Sequence, residues 1–187
     1  MILAAGRSSR FGSADKLTAD LSGRHLASYA ENAMRSCDLD LRAVVTGPES
    51  TIKIEGFTSL TVLEGSLQGA SVARAAEFAT EVAATHLLIT LADMPFVEPG
   101  TLSSLLSITD DQATASTDGT RRMPPACFPP SDFQSLSNAR GDAGARPILK
   151  TLPSEQLVHV PAWQLHDVDT QADLARAAEI IVEQSLA

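Results

Sequence analysis

The stretch THLLITLA at residues 85–92 constrains the fold more than any other part of the sequence. Its apolar run shows no polar alternation, which is typical of a strand covered on both faces in a parallel sheet. Asp93 follows directly, where such a strand must end. Three further stretches predict strands in the same way: MILAA at the start, LRAVVTG at 41–47 and TSLTVL at 58–63. The chain therefore supplies several strands of one sheet.

The segments between these strands predict helices. They run from His25 to Ser36, from Ala70 to Val82 and from Pro99 to Ser107, and an amphipathic helix closes the chain. The apolar face of that last helix is expected to hold Leu174, Ala177, Ala178, Ile181 and Val182. The alternation predicts a single α/β domain over residues 1–187, with three α/β/α layers and a Rossmann-like, mostly parallel sheet.

The segment RRMPPACFPPSDF departs from this alternation because it contains four prolines. Proline removes a backbone donor and restricts the residue before it, so this segment is expected to be extended and irregular. A short strand is predicted within it, at Ala126 to Phe128, and another strand is predicted from Val158.

Composition excludes several functional classes. A net charge of −9 over 187 residues argues against a nucleic-acid surface, which needs clustered Lys and Arg. No apolar run is long enough to span a membrane, and the start lacks a basic leader, so a cytoplasmic protein is expected. The two cysteines and four histidines never approach the spacing of a zinc site and are expected to be structural.

Ligands of open α/β sheets bind beyond the carboxyl ends of the strands, which selects the loop after MILAA. It begins GRSSRFG and leads to Lys16. Small residues let backbone N–H groups approach an anion, and the basic side chains supply charge for phosphate oxygens. Neither GxxxxGK[ST] nor GxGxxG is present, and an ordinary polar turn is the competing interpretation.

The same rule selects the acidic residues at two other strand ends. Asp93 suits Mg²⁺, which takes one or two carboxylates together with substrate phosphates. Alternatively, Asp93 could stabilise the turn before Met94. Asp167 and Asp169 follow the strand predicted from Val158, and Asp169 could instead cap the last helix. The spacing of Thr170 and Asp173 predicts a capping box.

Four motifs carry a resemblance to a known family: LAAGRSSRFG followed by Lys16, LADMP, GDAGAR and DVDTQADL. In this order they resemble the MobA-like nucleotidyltransferases and, within them, the molybdenum cofactor cytidylyltransferases. The resemblance covers nearly the whole chain. It implies the fold of the nucleotide-diphospho-sugar transferases, Mg²⁺ as cofactor, and a transient contact with a molybdenum enzyme.

The resemblance also implies roles for individual residues. Arg10, Lys16 and Asp93 would be catalytic, Arg10 and Lys16 by holding the triphosphate. The metal ligands would be Asp93 and Asp169, with Asp167 in reserve. The nucleotide would also be bordered by Leu3, Ala4, Ala5, Gly6, Gly69 and Ser71, and the acceptor by Gly141, Asp142 and Arg146.

The implied reaction transfers CMP from CTP to the phosphate of a molybdopterin-type acceptor and releases pyrophosphate. CTP is expected over GTP because the chain reads LAAG, where the guanylyltransferase branch carries LAGG, and the methyl of Ala5 would crowd a purine. Two alternatives stay open: another phosphorylated acceptor, such as a sugar or acid phosphate, or a non-catalytic carrier for a molybdenum enzyme.

The chain departs from the family in two places. Its first strand begins at Met1, several residues later than is usual, so either this strand is short or the natural start lies upstream. Met123 and Pro124 stand where the family often has Gly-His-Pro-like residues. Both departures motivate the carrier alternative.

Overall fold

A seven-stranded sheet forms the centre of the molecule. The computed structural model describes residues 1–6, 11, 15–48, 50, 52–63 and 68–186. The strands are β1 (Ile2–Ala4), β2 (Asp20–Leu21), β3 (Arg24–His25), β4 (Ala43–Thr46), β5 (Thr58–Thr61), β6 (Leu87–Leu91), β7 (Thr114–Thr117), β8 (Arg122–Phe128) and β9 (Leu157–His159). The sheet order is β5-β4-β1-β6-β8-β7-β9, and β2 pairs with β3 in a separate hairpin.

Helices cover both faces of this sheet. They are α1 (Leu26–Arg35), α2 (Gln68–Glu81), α3 (Pro99–Ile108), α4 (Pro130–Ser137), α5 (Arg146–Thr151) and α6 (Gln171–Ser185). One core cluster joins the sheet to α1, α3 and α6, and another joins it to α2, α4 and α5. The predicted three-layer α/β/α architecture with a mostly parallel sheet is therefore confirmed. Within the described segments, no helix has the length and apolar character needed to cross a membrane.

The strands predicted from continuous apolar runs form the parallel half of the sheet. Here β1 lies between β4 and β6 and is parallel to both, with Ala4 opposite Thr46 and Leu3 opposite Leu91. Successive residues of β1 point to opposite layers: Ile2 packs in one core cluster and Leu3 in the other. Because each strand face meets a helix layer, β1 is apolar throughout and β4 and β6 are nearly so, whereas most of the edge strand β5 is exposed.

The other half of the sheet is mixed, and it corrects the expectation for the proline-rich segment. Instead of a short strand at Ala126 to Phe128, β8 runs continuously from Arg122 and is antiparallel to both β6 and β7. Its pairing with β7 passes from Met123 to Ala126 across a bulge, so Pro124 and Pro125, joined by a cis bond, occupy the gap. Bulges are among the few places where a sheet accepts proline.

The last helix begins and packs almost as predicted. Thr170 is the N-cap of α6 and forms a capping box with Asp173, as the spacing predicts. The buried face of the helix holds Ala177 and Ile180, and the latter was not predicted. Val182 was wrongly assigned to this face, because its side chain is 58% exposed.

Candidate active site

Three charged side chains meet at the carboxyl edge of the parallel strands. Lys16 Nζ donates hydrogen bonds to Asp93 Oδ2 at 2.7 Å and to Asp169 Oδ1 at 2.8 Å. These partners lie 77 and 153 residues further along the chain, so only the tertiary fold can bring them together. Lys16 is only 4% exposed, although it is a lysine. A lysine buried this deeply normally needs charged partners, and among the described residues Asp93 and Asp169 fill that role.

Local structure fixes each of the three groups. Lys16 opens a 3₁₀ turn whose N-cap, Asp15, accepts a hydrogen bond from the Leu17 amide at 3.0 Å. Asp93 lies just beyond β6, and its carbonyl accepts from the Val168 amide at 3.0 Å. That bond draws the segment before α6 onto the end of β6, which places Asp169 beside Asp93.

The burial of these groups shapes their electrostatics. Burial alone lowers the pKa of Lys16, but the charge of Asp93 and the hydrogen bonds to both carboxylates outweigh it, so the pKa is raised above its ordinary value. The pKa of Asp93 is also raised, mainly by burial, with Lys16 opposing and the charges of Asp167 and Asp169 adding to the rise. The carboxylates of Asp167 and Asp169 thus act against the negative charge of Asp93, while the Lys16 ammonium favours it.

Neither Asp93 nor Asp169 has the local structural role that the sequence left open. Asp93 does not cap the turn that follows it, because Oδ2 bonds to Lys16 and the buried Oδ1 has no hydrogen-bond partner. Asp169 is not the cap of α6, since Thr170 fills that position. Both carboxylates are held toward the edge of the sheet rather than used to stabilise local backbone.

The donor set fits a hard divalent cation that completes its coordination with substrate. Asp93 Oδ1 is a buried acceptor without a partner, which is unfavourable unless a cation or donor reaches it. Among the described residues no group of three or more His, Cys, Asp or Glu side chains could hold a metal ion. Two carboxylates with room for phosphate oxygens suit Mg²⁺, whereas a closed site would need more protein ligands.

A second contact joins the start of α2 to the loop before α5. The Gly69 amide donates to the Gly141 carbonyl at 2.8 Å. A Cβ built on Gly69 would lie 2.8 Å from both the Arg140 carbonyl carbon and the Gly141 oxygen, so only glycine permits this approach. Gly69 was expected to border the base, but its N–H is already engaged by the loop. Sequence reasoning missed this pairing, since nothing local to either glycine signals it.

The remaining candidate residues differ in how they could meet a ligand. Leu3 and Ala4 are buried with their side chains in the core, so only their backbone could line a pocket. Ala5 is partly buried against the cluster around α2, and Gly6 is exposed. Ser71 is buried on α2.

On the acceptor side, Gly141, Asp142 and Arg146 are exposed. Arg146 is the first residue of α5, and its side chain makes no ion pair with another described residue. Arg10 lies outside the described residues. The structure thus brings Lys16 together with Asp93 and Asp169, and Gly69 with Gly141.

A cavity of about 350 Å³ lies at the opposite edge of the sheet, where its walls include Met1, Ala43 and Leu87. These residues begin or precede their strands. Within the described parts of the chain, none of the candidate site residues lines this cavity, and its walls contain none of the three charged groups. Its position does not match the carboxyl-edge rule for ligands of such sheets.

The sequence of the chain is similar to that of a protein family and to that of a bacterial relative. The sequence matches the model of the MobA-like NTP transferase domain over residues 1–160. Purine catabolism protein PucB of Bacillus subtilis is 28% identical, in an alignment that covers 95% of this chain and 95% of that protein.

Two solved structures show the same fold. A nucleotidyl transferase from Methanothermobacter thermautotroptrophicus aligns with a TM-score of 0.79 at 19% identity, over 98% of this chain and 96% of that one. Molybdopterin-guanine dinucleotide biosynthesis protein A from Archaeoglobus fulgidus aligns with a TM-score of 0.64 at 20% identity, over 97% of each chain.

The sheet order and the helix layers are those of the nucleotide-diphospho-sugar transferase fold. Within that fold class, the chain belongs to the MobA-like NTP transferase family and is a nucleotidyltransferase of that type.

Proposed function

We propose that the chain is a Mg²⁺-dependent cytidylyltransferase, which transfers CMP from CTP to the phosphate of a molybdopterin-type acceptor. The observation that carries this proposal is the Lys16 ammonium held between Asp93 and Asp169 at the carboxyl edge of the parallel strands. A triphosphate at this edge would meet a cation for its oxygens and carboxylates for its metal.

Asp93 and Asp169 would hold the metal, since their oxygens already converge on one positive charge. Bound there, Mg²⁺ would neutralise the phosphate oxygens and the charge that develops on the leaving group. Lys16 and Arg10 would bind the triphosphate and orient the α-phosphorus. Such positioning supplies most of the catalysis in phosphoryl and nucleotidyl transfer, where the protein takes little covalent part.

The acceptor phosphate oxygen would attack the α-phosphorus in line. The new bond joins this oxygen to the α-phosphorus, the bond to the bridging oxygen breaks, and pyrophosphate leaves with that electron pair. A phosphate monoester has a second pKa of about 6, so it is largely dianionic at neutral pH and needs no general base. The site accordingly offers cations and carboxylates rather than a Ser-His or Cys-His pair.

The preference for CTP rests on Ala5. Ala5 is partly buried against the core around α2, at the end of β1, and its methyl would narrow the space for a base bound there. Discrimination from one such contact amounts to about 1–3 kcal/mol, so we expect a preference rather than exclusion. Titrating CTP and GTP with Mg²⁺ tests it, and clearly tighter binding of GTP would reject cytidine as the base.

The acceptor is the least constrained part of the proposal. Family membership and the similarity to a molybdopterin-guanine dinucleotide biosynthesis protein support a molybdopterin-type acceptor. The exposed Gly141, Asp142 and Arg146 offer the surface on which it would bind. A panel that includes molybdenum cofactor, sugar phosphates and phosphorylated acids distinguishes the acceptor classes, because only the true acceptor supports Mg²⁺-dependent release of pyrophosphate.

The central experiment compares Asp93→Ala with Asp111→Ala, a surface carboxylate in the loop before β7. Pyrophosphate release is measured with Mg²⁺, CTP and molybdenum cofactor. We expect Asp93→Ala to fold and to lose turnover by about 10³-fold or more, while Asp111→Ala retains it. Full activity of Asp93→Ala would reject the mechanism. An inactive wild type that still binds CTP would favour the carrier alternative.

A further inference from the structure

We infer that Lys16 is the resting occupant of the divalent-cation position, so that a metal ion enters only when nucleotide phosphates draw the lysine away. This inference rests on the proposed function and deepens it. It makes metal binding and nucleotide binding mutually dependent through one side chain.

The first argument is geometric. Lys16 Nζ lies 2.7 and 2.8 Å from one oxygen of each carboxylate, which is the point from which a single cation bridges both groups. A lysine ammonium is a compact point charge with three donors. A metal ion that bridged Asp93 and Asp169 through these same oxygens would need the space that Nζ fills.

The second argument concerns the acceptors that the ammonium leaves unsatisfied. Asp93 Oδ1 is buried and has no hydrogen-bond partner, although Oδ2 of the same carboxylate is bonded. Asp167 adds a third carboxylate whose charge acts on Asp93. Among the described groups, the ammonium therefore leaves one buried carboxylate oxygen of the cluster without a partner, and a divalent ion between the carboxylates would offer it one.

The third argument is where Lys16 can go. Its backbone lies at the start of a 3₁₀ turn, directly after the phosphate-loop sequence GRSSRFG and the residues up to Asp15. Four methylene groups let the ammonium turn from the carboxylates toward the oxygens of a bound triphosphate without movement of the 3₁₀ turn. These oxygens would then replace Asp93 Oδ2 and Asp169 Oδ1 as its partners, and the ion that accompanies the nucleotide would take its place between the two carboxylates.

These relations predict coupling with a definite sign. Because binding free energies are reciprocal, a nucleotide that removes the lysine tightens metal binding, and metal tightens nucleotide binding by the same factor. Replacing Lys16 with a neutral side chain of similar length separates the two effects. Metal affinity without nucleotide should rise, whereas triphosphate affinity should fall.

The test uses Mn²⁺ as a paramagnetic probe, with bound and free ion distinguished by electron paramagnetic resonance. We compare the wild type, Lys16→Met and Lys53→Met, which removes the same charge from an exposed position. Without nucleotide, Lys16→Met should bind one Mn²⁺ at least about tenfold tighter than the other two proteins. Mg²⁺ should displace this ion, and the double variant Lys16→Met/Asp169→Asn should lose it.

Thermal unfolding provides a second measurement. Lys16→Met removes the ammonium from between two carboxylates, so we expect its melting temperature to be low in EDTA and to recover with Mn²⁺. The melting temperature of the wild type should respond weakly to Mn²⁺ alone. A variant that stays unfolded at saturating Mn²⁺ overturns the inference, since a divalent ion could then not take the place of the ammonium.

The remaining outcomes separate this inference from the proposed function. Equal Mn²⁺ affinity in all three proteins, lost in Asp93→Ala, would reject the resting role of Lys16 and leave the metal site intact. If neither the wild type nor Lys16→Met bound Mn²⁺, even with a non-hydrolysable CTP analogue, both the inference and the metal role of Asp93 and Asp169 would fall.

Discussion

The two halves of the central sheet are built by different rules. The half formed by β5, β4, β1 and β6 is parallel, and β4, β1 and β6 are continuous buried strands, whereas β8, β7 and β9 form a mixed half with a bulge and two adjacent prolines. Parallel strands end at a common edge, so the first half gathers Lys16 and Asp93 by topology alone. On the side of the mixed half, the GDAGAR segment forms the loop between α4 and α5 and the first residue of α5. Regular architecture thus holds the groups that we propose for nucleotidyl transfer, and an irregular segment holds those that we propose for the acceptor.

The pairing of β6 with β8 joins the halves directly, and two further backbone hydrogen bonds connect segments around the site. The Val168 amide bonds to the Asp93 carbonyl, and the Gly69 amide bonds to the Gly141 carbonyl. If the two halves serve different steps, substitutions in the parallel half should alter metal and nucleotide binding, and substitutions in the mixed half should alter acceptor affinity. Substitutions at the two hydrogen bonds should alter both.

After Asp93→Ala, the largest expected effect is that of Asp169→Ala. Loss of one of two converging carboxylates should lower kcat/KM by about 10²-fold, in the range seen when metal sites lose a supporting group. The loss should be smaller than for Asp93→Ala, because the Asp169 side chain is 42% exposed against 20% for Asp93, and water screens it better.

Asp169→Asn is the matched control, since it keeps the shape and removes the charge. Steady-state kinetics at several Mg²⁺ concentrations should show both variants impaired, with partial recovery at high Mg²⁺. Normal activity in Asp169→Asn would assign the loss in Asp169→Ala to packing rather than charge.

Gly69→Ala should break the contact between the halves. The added methyl would lie 2.8 Å from Arg140 and Gly141 backbone atoms, so the loop must move, at a cost of about 1–3 kcal/mol in the free energy of unfolding. Gly100→Ala in α3 is the control: nothing lies within 4 Å of its added Cβ, and alanine there should stabilise by about 0.4–1 kcal/mol. Urea denaturation measures both, and equal stability of the two variants would contradict the close approach.

Arg146→Ala should affect the acceptor side alone. Arg146 is exposed at the start of α5 and has no ion pair within the described residues, so it can meet an acceptor anion without losing a partner. We expect KM for the acceptor to rise about tenfold, close to 1.4 kcal/mol, with KM for CTP unchanged. Lys150→Ala, one helical turn further along, should change neither; a matching rise in KM for CTP would reject the division between the halves.

The sequence predicted the parallel half of the sheet better than the mixed half. Continuous apolar runs identified β1, β4 and β6, because burial on both faces leaves a local signal. In contrast, β7 reads TAST, and sequence reasoning missed it. Its burial depends on distant groups: the Thr114 hydroxyl donates to the Leu105 carbonyl of α3 and also bonds to the Thr109 hydroxyl.

The site shows the same limit. Motif order and strand ends predicted that Lys16, Asp93 and Asp169 would gather, and they do. The sequence did not predict that the Lys16 ammonium would bond to the two carboxylates in the absence of phosphate. This arrangement depends on side-chain charges 77 and 153 residues away, which no local pattern encodes. The contact between Gly69 and Gly141 likewise exists only in the folded chain.

The smallest predicted effect tests how the C-terminal helix holds Asp169. The Thr170 hydroxyl accepts from the Asp173 amide at 3.2 Å and donates to its carboxylate, so Thr170→Ala removes the N-cap at the residue next to Asp169. The free energy of unfolding should fall by about 1 kcal/mol, while Thr170→Ser keeps the hydroxyl and should lose little. Because the cap fixes the backbone from which Asp169 projects, Thr170→Ala should also weaken activation by Mg²⁺, and serine should restore it. A loss of stability with unchanged Mg²⁺ activation would show that the Val168–Asp93 bond alone positions Asp169, and that the helix start is independent of the site.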